Sequence, residues 1–315
     1  GERRGERRGE RQGRGQRGQG GANVRQLILD AGARGIINRA STPIRLLGRP
    51  PRSWEARSTT PEIQLIDIYY DRVRRRVEAG EEVVLEFDIR NYMTPGPAPF
   101  TNVIAKLRGT EFPDEYVMFG GHLDSYDSAT GTIDNGDGCM TAFEAARILS
   151  AAGVKPRRTI VFAFWGGEEF GLLGSRSWIE RNPEMHGKIS GYFNQDSGTN
   201  AIVGATGTPG MMAQLRQALE PINLIDPDYP FSIGETESFG SGGSSDHASF
   251  NRVGIPGLGW RLRGEAVYGI TWHTNFDTYE RAFPEYMKHS AAAIAVAAYG
   301  LANLDEKLKR ESGDR

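Results

Sequence analysis

The segment RTIVFAFW, residues 158–165, limits the fold more than any other stretch of the chain. Its residues after Arg158 are almost all apolar, and it runs straight into Gly166 and Gly167. A strand with one wet face alternates apolar and polar side chains; a continuous apolar strand is covered on both faces. Covering both faces takes helices, so the segment calls for a mostly parallel sheet held between two helical layers.

The flanking sequence supplies those layers. NVIAKLRG and EYVMFGGHLDS read as strands, and TAFEAARILSAAG as a helix with Ala142, Ala145, Ala146 and Leu149 on one face. A helix from Ser175, a strand through GYFNQD, a helix at MMAQLRQALEPI and a strand at GIPGLGW follow, and the alanine-rich stretch after Pro284 closes the chain as a helix. The expected fold is α/β, a mostly parallel mixed sheet with helices on both faces. It occupies residues 101–315, a length that can bury a substantial core.

Upstream the pattern changes. Residues 1–21 hold Gly, Arg, Glu and Gln without an apolar side chain, and cannot offset their ordering entropy by burial, so they are expected to be disordered. No aromatic residue accompanies the arginines, which favours a solvated arm over an RNA-binding tract. Residues 22–100 are expected to form a smaller domain: VRQLILDAGARGIINR gives a helix, a glycine stop and a strand, PEIQLIDIYYDRVRRRVEAG a strand and an amphipathic helix, and EEVVLEFDIR a clear strand. Prolines 95, 97 and 99 mark the boundary.

A formal net charge of −2 gives no broad signature for nucleic acid or membrane, and no apolar run is long enough to span a bilayer. The single cysteine, Cys139, excludes an intrachain disulfide and thiolate metal sites. There is no G-x-S-x-G elbow around Ser241, Ser244 and Ser245, and GATGTPG lacks dinucleotide-loop spacing.

Ligand sites in such sheets collect at the carboxyl ends of strands. There the sequence places His122 and Asp124 (GGHLDS), Glu168 and Glu169 (FWGGEEF) and Asp196 (NQDSG). Asp134, in TIDNGDG, stands at a helix entry, and His273, in TWHTNFDT, after an expected short strand. Paired glutamates such as Glu81 and Glu82 are ordinarily surface charge, and His186 and His289 are expected to be structural or exposed. Glu168 and Glu169 differ, because a carboxylate pair directly after a buried strand is costly unless something compensates it. Two imidazoles and several carboxylates without thiolate suit zinc, manganese or cobalt. Two His and three carboxylates exceed what one open zinc needs and match a pair of ions sharing a carboxylate.

GGHLDS, TIDNGDG, FAFWGGEEFGLLGS, NQDSG, SSDHASF and WHTNFDT resemble, in order and spacing, the co-catalytic zinc aminopeptidase family. That family includes bacterial leucyl aminopeptidases, glutamate carboxypeptidase and transferrin-receptor-like proteins. The resemblance runs from about Ala22 to Leu304 and points to the subgroup of plasma glutamate carboxypeptidase (carboxypeptidase Q) and its bacterial relatives. It implies two zinc ions: His122, Asp134 and Asp196 on one, Glu169, His273 and the same bridging Asp134 on the other. Glu168 matches the general base acting on a water held between the ions, and Asp124 the carboxylate that orients His122. Asp246 and Asp277 fall on acidic positions taken as supporting. Trp272 stands where some relatives carry a tyrosine that could donate to an oxyanion.

The implied activity is exopeptidase hydrolysis of a peptide or dipeptide, of the aminopeptidase or dipeptidase type, in a secreted or periplasmic setting, with a homodimer as a further expectation. Residues 22–100 resemble the latter part of a protease-associated (PA) domain inserted in this subgroup, so the catalytic elements that precede the insert are expected to lie outside this chain. A glutaminyl cyclase-like transferase with one zinc is the rival enzyme; keeping every ligand position and the FGLLGS sequel to the glutamate pair favours the peptidase. A receptor-like binding protein on the same fold would be expected to have lost metal ligands.

Overall fold

The computed structural model describes residues 20–40, 53–57, 60–127 and 129–310, and these fall into two compact units whose boundary in the chain lies between Thr94 and Pro95. The expectation for residues 1–21 lies outside the described residues, except for Gly20 and Gly21, which open a helix rather than continuing an irregular arm.

The smaller unit contains α1 (Gly20–Asp30), β1 (Ile36–Arg39), β2 (Glu62–Leu65) and α2 (Asp67–Glu78). β1 and β2 pair in parallel, and Gly32 at φ 95° makes the turn between α1 and β1 that a side chain would resist. EEVVLEFDIR is not a strand. Residues 81–102 carry no ladder, and Val84, Leu85, Phe87 and Ile89 are exposed. Alternating apolar residues supply only a strand's face, and the strand itself requires a hydrogen-bonding neighbour, which this segment lacks among the described residues.

The larger unit runs β3 (Val103–Leu107), β4 (Phe112–His122), α3 (Asp137–Ala151), β5 (Arg158–Trp165), α4 (Leu173–Arg181), β6 (Ile189–Asn194), β7 (Ala201–Gly207), α5 (Met212–Leu219), β8 (Ser232–Glu235), α6 (His247–Asn251), β9 (Gly257–Arg263), α7 (Tyr268–Thr271) and α8 (Pro284–Ala302). Its sheet has the order β3-β5-β4-β6-β9-β7-β8. β5, β4, β6 and β9 are mutually parallel, β3 runs against β5, and β7 runs against β9 while pairing in parallel with β8. β7 and β8 are short, glycine-containing strands that periodicity does not separate from loop.

Every residue of β5 is buried. Its alternate side chains enter opposite cores, as the pleat requires. Ile160, Phe162 and Phe164 join Val117 and Phe119 of β4 in a core closed by α3, α5 and α8. Val161, Ala163 and Trp165 join Met118 in a second core with Ile179 of α4 and Phe250 of α6. The small side chains of α8 (Ala293, Ala295, Ala297 and Ala298) let it lie close on the first face, with Pro284 at its start, where a missing N–H costs nothing. This packing fixes the register of β4, β5 and β6, and with it the positions of the residues just past their carboxyl ends. No helix among the described residues is long and apolar enough to cross a membrane.

Candidate metal centre

The carboxyl ends of three adjacent strands meet at one place. His122 closes β4 directly opposite Trp165, the last residue of β5, and Gly120 of β4 pairs with Asn194, the last of β6. After Trp165 the chain turns through Gly166 and Gly167, the latter at φ 75°, so that Glu168 and Glu169 face the end of β4. Gly121 is needed for close approach: a Cβ there would stand 2.6 Å from the Gln195 carbonyl and 2.7 Å from Asn135 Nδ2.

Asp134 comes from an irregular π-helical turn (Thr132–Gly136) ahead of α3, which contains a cis Asp134–Asn135 peptide. His273 follows the short helix α7 and not a strand, and its backbone sits at φ 57°, left-handed territory uncommon for a non-glycine residue. Tyr126 and Trp272 flank its ring, with centroids 4.1 Å and 4.4 Å away.

The side chains converge on Asp134. Its Oδ1 lies 3.4 Å from His122 Nε2, and its Oδ2 lies 3.4 Å from His273 Nε2. His122 Nε2 is also 3.4 Å from Asp196 Oδ1, and His273 Nε2 is 2.9 Å from Glu169 Oε2. Glu168 Oε2 stands back at 4.0 Å from His122 Nε2. Three groupings place ligand atoms close enough to hold an ion: His122, Asp134 and Asp196; Asp134, Glu169 and His273; and His122, Glu168 and Glu169.

Asp124 does more than accompany the imidazole. His122 Nδ1 donates to the Asp124 main-chain carbonyl at 2.8 Å, with the carboxylate at 3.7 Å. That carboxylate accepts the backbone N–H groups of Glu168 and Glu169, at 3.0 Å and 3.1 Å, and thereby holds the glutamate turn against β4. Asp277 plays the corresponding part for Asp134, accepting the N–H of Ile133 at 2.6 Å and of Asp134 at 3.0 Å. Asp246 is fully buried with both carboxylate oxygens unpartnered, and burial pushes its carboxyl up to about 7.

The electrostatics of the protein alone are unfavourable. Burial, with neighbouring carboxylates behind it, pushes Glu168 and Glu169 each up to about 9. Burial disfavours the His122 imidazolium, yet the Asp124, Asp134 and Asp196 carboxylates that accept from it outweigh burial and raise that ring well above its ordinary value. Burial also opposes ionisation of Asp196, but His122 overcomes it and holds the carboxyl below its usual range. Asp134 Oδ2 and Glu169 Oε1 are buried without hydrogen-bond partners. Buried oxygen acceptors facing imidazole nitrogens, with no donor to satisfy them, are what hard and borderline divalent cations take. The residues fit metal ions.

Two other histidines are engaged with main chain: His186 Nε2 donates to the Ile179 carbonyl at 2.9 Å and His289 Nε2 to the Ile202 carbonyl at 3.0 Å. Cys139 is buried behind the site, its thiol donating to the His122 carbonyl at 2.9 Å. The cleft over the acidic cluster is also lined by Tyr126, Tyr268, Arg176 and Arg252, which no sequence motif singles out. Tyr126 and Arg176 directly follow the GGHLDS and FGLLGS motifs, and that adjacency is the one signal the sequence offers for them.

Residues 102–298 match peptidase family M28. This chain belongs to that family. Carboxypeptidase Q of Mus musculus is 30% identical over 243 residues, which are 76% of this chain and 49% of that protein. A peptidase M28 precursor from Shewanella amazonensis superposes with a TM-score of 0.68 at 27% identity, covering 88% of this chain and 62% of the other. A zinc aminopeptidase from Bacillus subtilis shares the fold, with a TM-score of 0.52 at 22% identity over 66% of this chain and 51% of the other. The chain spans about half the length of the curated relatives named carboxypeptidase Q. As an M28 member it carries the sheet expected of the family, flanked by helices on both faces.

Proposed function

We propose that this chain carries the catalytic centre of a zinc-dependent exopeptidase, with two ions sharing Asp134. The observation that supports this reading most directly is the Asp134 carboxylate, whose two oxygens face two different imidazoles at the same 3.4 Å. His122 and Asp196 complete one ligand set, Glu169 and His273 the other. Zinc, when bound, supplies Lewis acidity that polarises a carbonyl and lowers the pKa of water from 15.7 to roughly 7.

Glu168 is the residue left to move protons. It projects toward the cleft without a close partner among the ligands, and its raised pKa is of the kind an adjoining dication reverses. It takes one proton from the attacking water as the oxygen–carbon bond forms, and delivers it to the amine nitrogen as the carbon–nitrogen bond breaks. Asp124 holds the backbone N–H of Glu168 and so fixes the point on the turn from which the base projects. Peptides or dipeptides are the substrates on this reading, and residues 22–100 are part of a PA-like domain.

Two neighbouring substitutions test the assignment. Glu169→Gln is expected to lower zinc content and activity together, because an amide is a poorer ligand than a carboxylate. Glu168→Gln is expected to keep zinc and substrate binding yet lose about 10²–10⁴ in kcat. Zinc per chain by elemental analysis alongside kcat reads both; full activity in Glu168→Gln removes the general-base role, and zinc loss confined to it exchanges the two roles.

A further inference from the structure

The cleft over the acidic cluster is not of one charge. Arg176 and Arg252 line it together with Asp134, Glu168, Glu169 and Asp196. Arg176 lies in the first turn of α4, and Arg252 caps the carboxyl end of α6. The two short helices pack on each other and are pinned by a buried hydrogen bond of 2.8 Å between Ser175 Oγ and Ser249 Oγ. Both guanidinium groups are therefore rooted in one wall.

Neither guanidinium has a hydrogen-bond or ion-pair partner among the described residues; the bonds these residues make are backbone ones, to Leu172 and Ala248. Other charged groups of the same cleft are engaged with each other, as His273 is with Glu169 and Asp196 with His122. If the arginines served only to balance the acidic cluster, they would gain most by pairing with it. They stay on the rim with their donors open. A guanidinium fork matches a carboxylate in two-pronged geometry, which makes an open arginine pair a receptor for that group. The cleft, about 640 Å³, has the size of a small-molecule site.

We propose that Arg176 and Arg252 form a clamp for the free C-terminal carboxylate of the substrate, making the site selective for short zwitterionic peptides. The substrate's amine end then lies toward the carboxylates and its acid end toward the arginines. Each added residue lengthens an extended peptide by about 3.3–3.6 Å, so a clamp at a fixed place favours one short length over longer chains. The clamp rests on the proposed hydrolase function only for the place of the scissile bond.

The test uses the full chain loaded with zinc, the dipeptide Ala-Leu, and Ala-Leu carrying a C-terminal amide. The wild type is expected to prefer the free acid by about 10- to 100-fold in kcat/KM, the worth of a charge-assisted hydrogen-bond pair. Arg176→Ala and Arg252→Ala should each lower that ratio, and the double variant should bring it near one. Calorimetry with a reduced-bond analogue of Ala-Leu, as acid and as amide, reads the same ratio in Kd without turnover. Hydrolysis with no acid preference in the wild type, or a preference untouched in the double variant, overturns the clamp and leaves the hydrolase reading standing. A Kd preference that falls with the arginines in a protein that cleaves neither peptide supports the clamp and removes the hydrolase reading. Absence of preference in both measurements overturns the clamp.

Discussion

Asp277 contacts none of the imidazoles, yet its replacement should disturb the whole centre. Its carboxylate accepts the backbone N–H groups of Ile133 and Asp134, and its own carbonyl accepts the N–H of Thr130 at 3.0 Å and the Thr130 hydroxyl at 3.1 Å. The turn that presents Asp134 is thus clasped by a single residue from 143 positions along the chain. Asp277→Ala removes two charge-assisted hydrogen bonds in a site only 3% exposed and leaves two buried N–H groups without acceptors. At about 1.5–3 kcal/mol for each, the expected loss of stability is about 3–6 kcal/mol. Asp277→Asn keeps one acceptor and turns an amide donor toward the other N–H, so it should fall between wild type and Ala. Both proposed ligand sets use Asp134, so zinc affinity should drop about 10- to 100-fold for both ions together. Chemical unfolding of the zinc-free protein gives the first number and competition with a chelating dye the second. An Asp277→Ala variant with wild-type stability and zinc affinity would refute the argument that this carboxylate holds Asp134 in place.

Other perturbations have equally definite outcomes. Glu168 and Glu169 have carboxyls raised to about 9 from an ordinary 4.5, so in zinc-free protein the stability tied to their protonation is present below about pH 4.5 and lost as pH rises toward 9; the chelated protein's Tm should fall from pH 5 to 9 while the gap to the zinc-loaded protein widens, and parallel curves would contradict this. Gly121→Ala should cost about 1–3 kcal/mol in chemical unfolding, because its Cβ would meet the Gln195 carbonyl at 2.6 Å, and an unchanged midpoint would show that the strand end can relax. Cys139 is 1% exposed with its thiol pushed up to about 12 by burial, so in native protein it should react with a disulfide reagent only as fast as the chain opens; rapid labelling at pH 8 would disprove that burial.

Much of this was legible in the sequence, and for a local reason. Strand β5 is apolar throughout because both its faces are buried, and α8 is rich in alanine because it lies close on a sheet; each pattern records its own segment's surroundings. Glu168 and Glu169 could be set apart from Glu81 and Glu82 because a buried strand and two glycines immediately precede them. Pairing between segments is not recorded in that way. EEVVLEFDIR has a strand's alternation and no ladder, whereas β7 and β8, weak in pattern, are strands because β9 and β7 offer them edges. Tertiary structure alone decided that Asp124 ties down the glutamate turn, that His273 follows a helix in a left-handed conformation, and that Arg176 and Arg252 share a wall of the cleft. The first and last of those facts depend on distances between residues far apart in the chain, and such distances arise only when the sheet closes its register and the helices settle on its two faces.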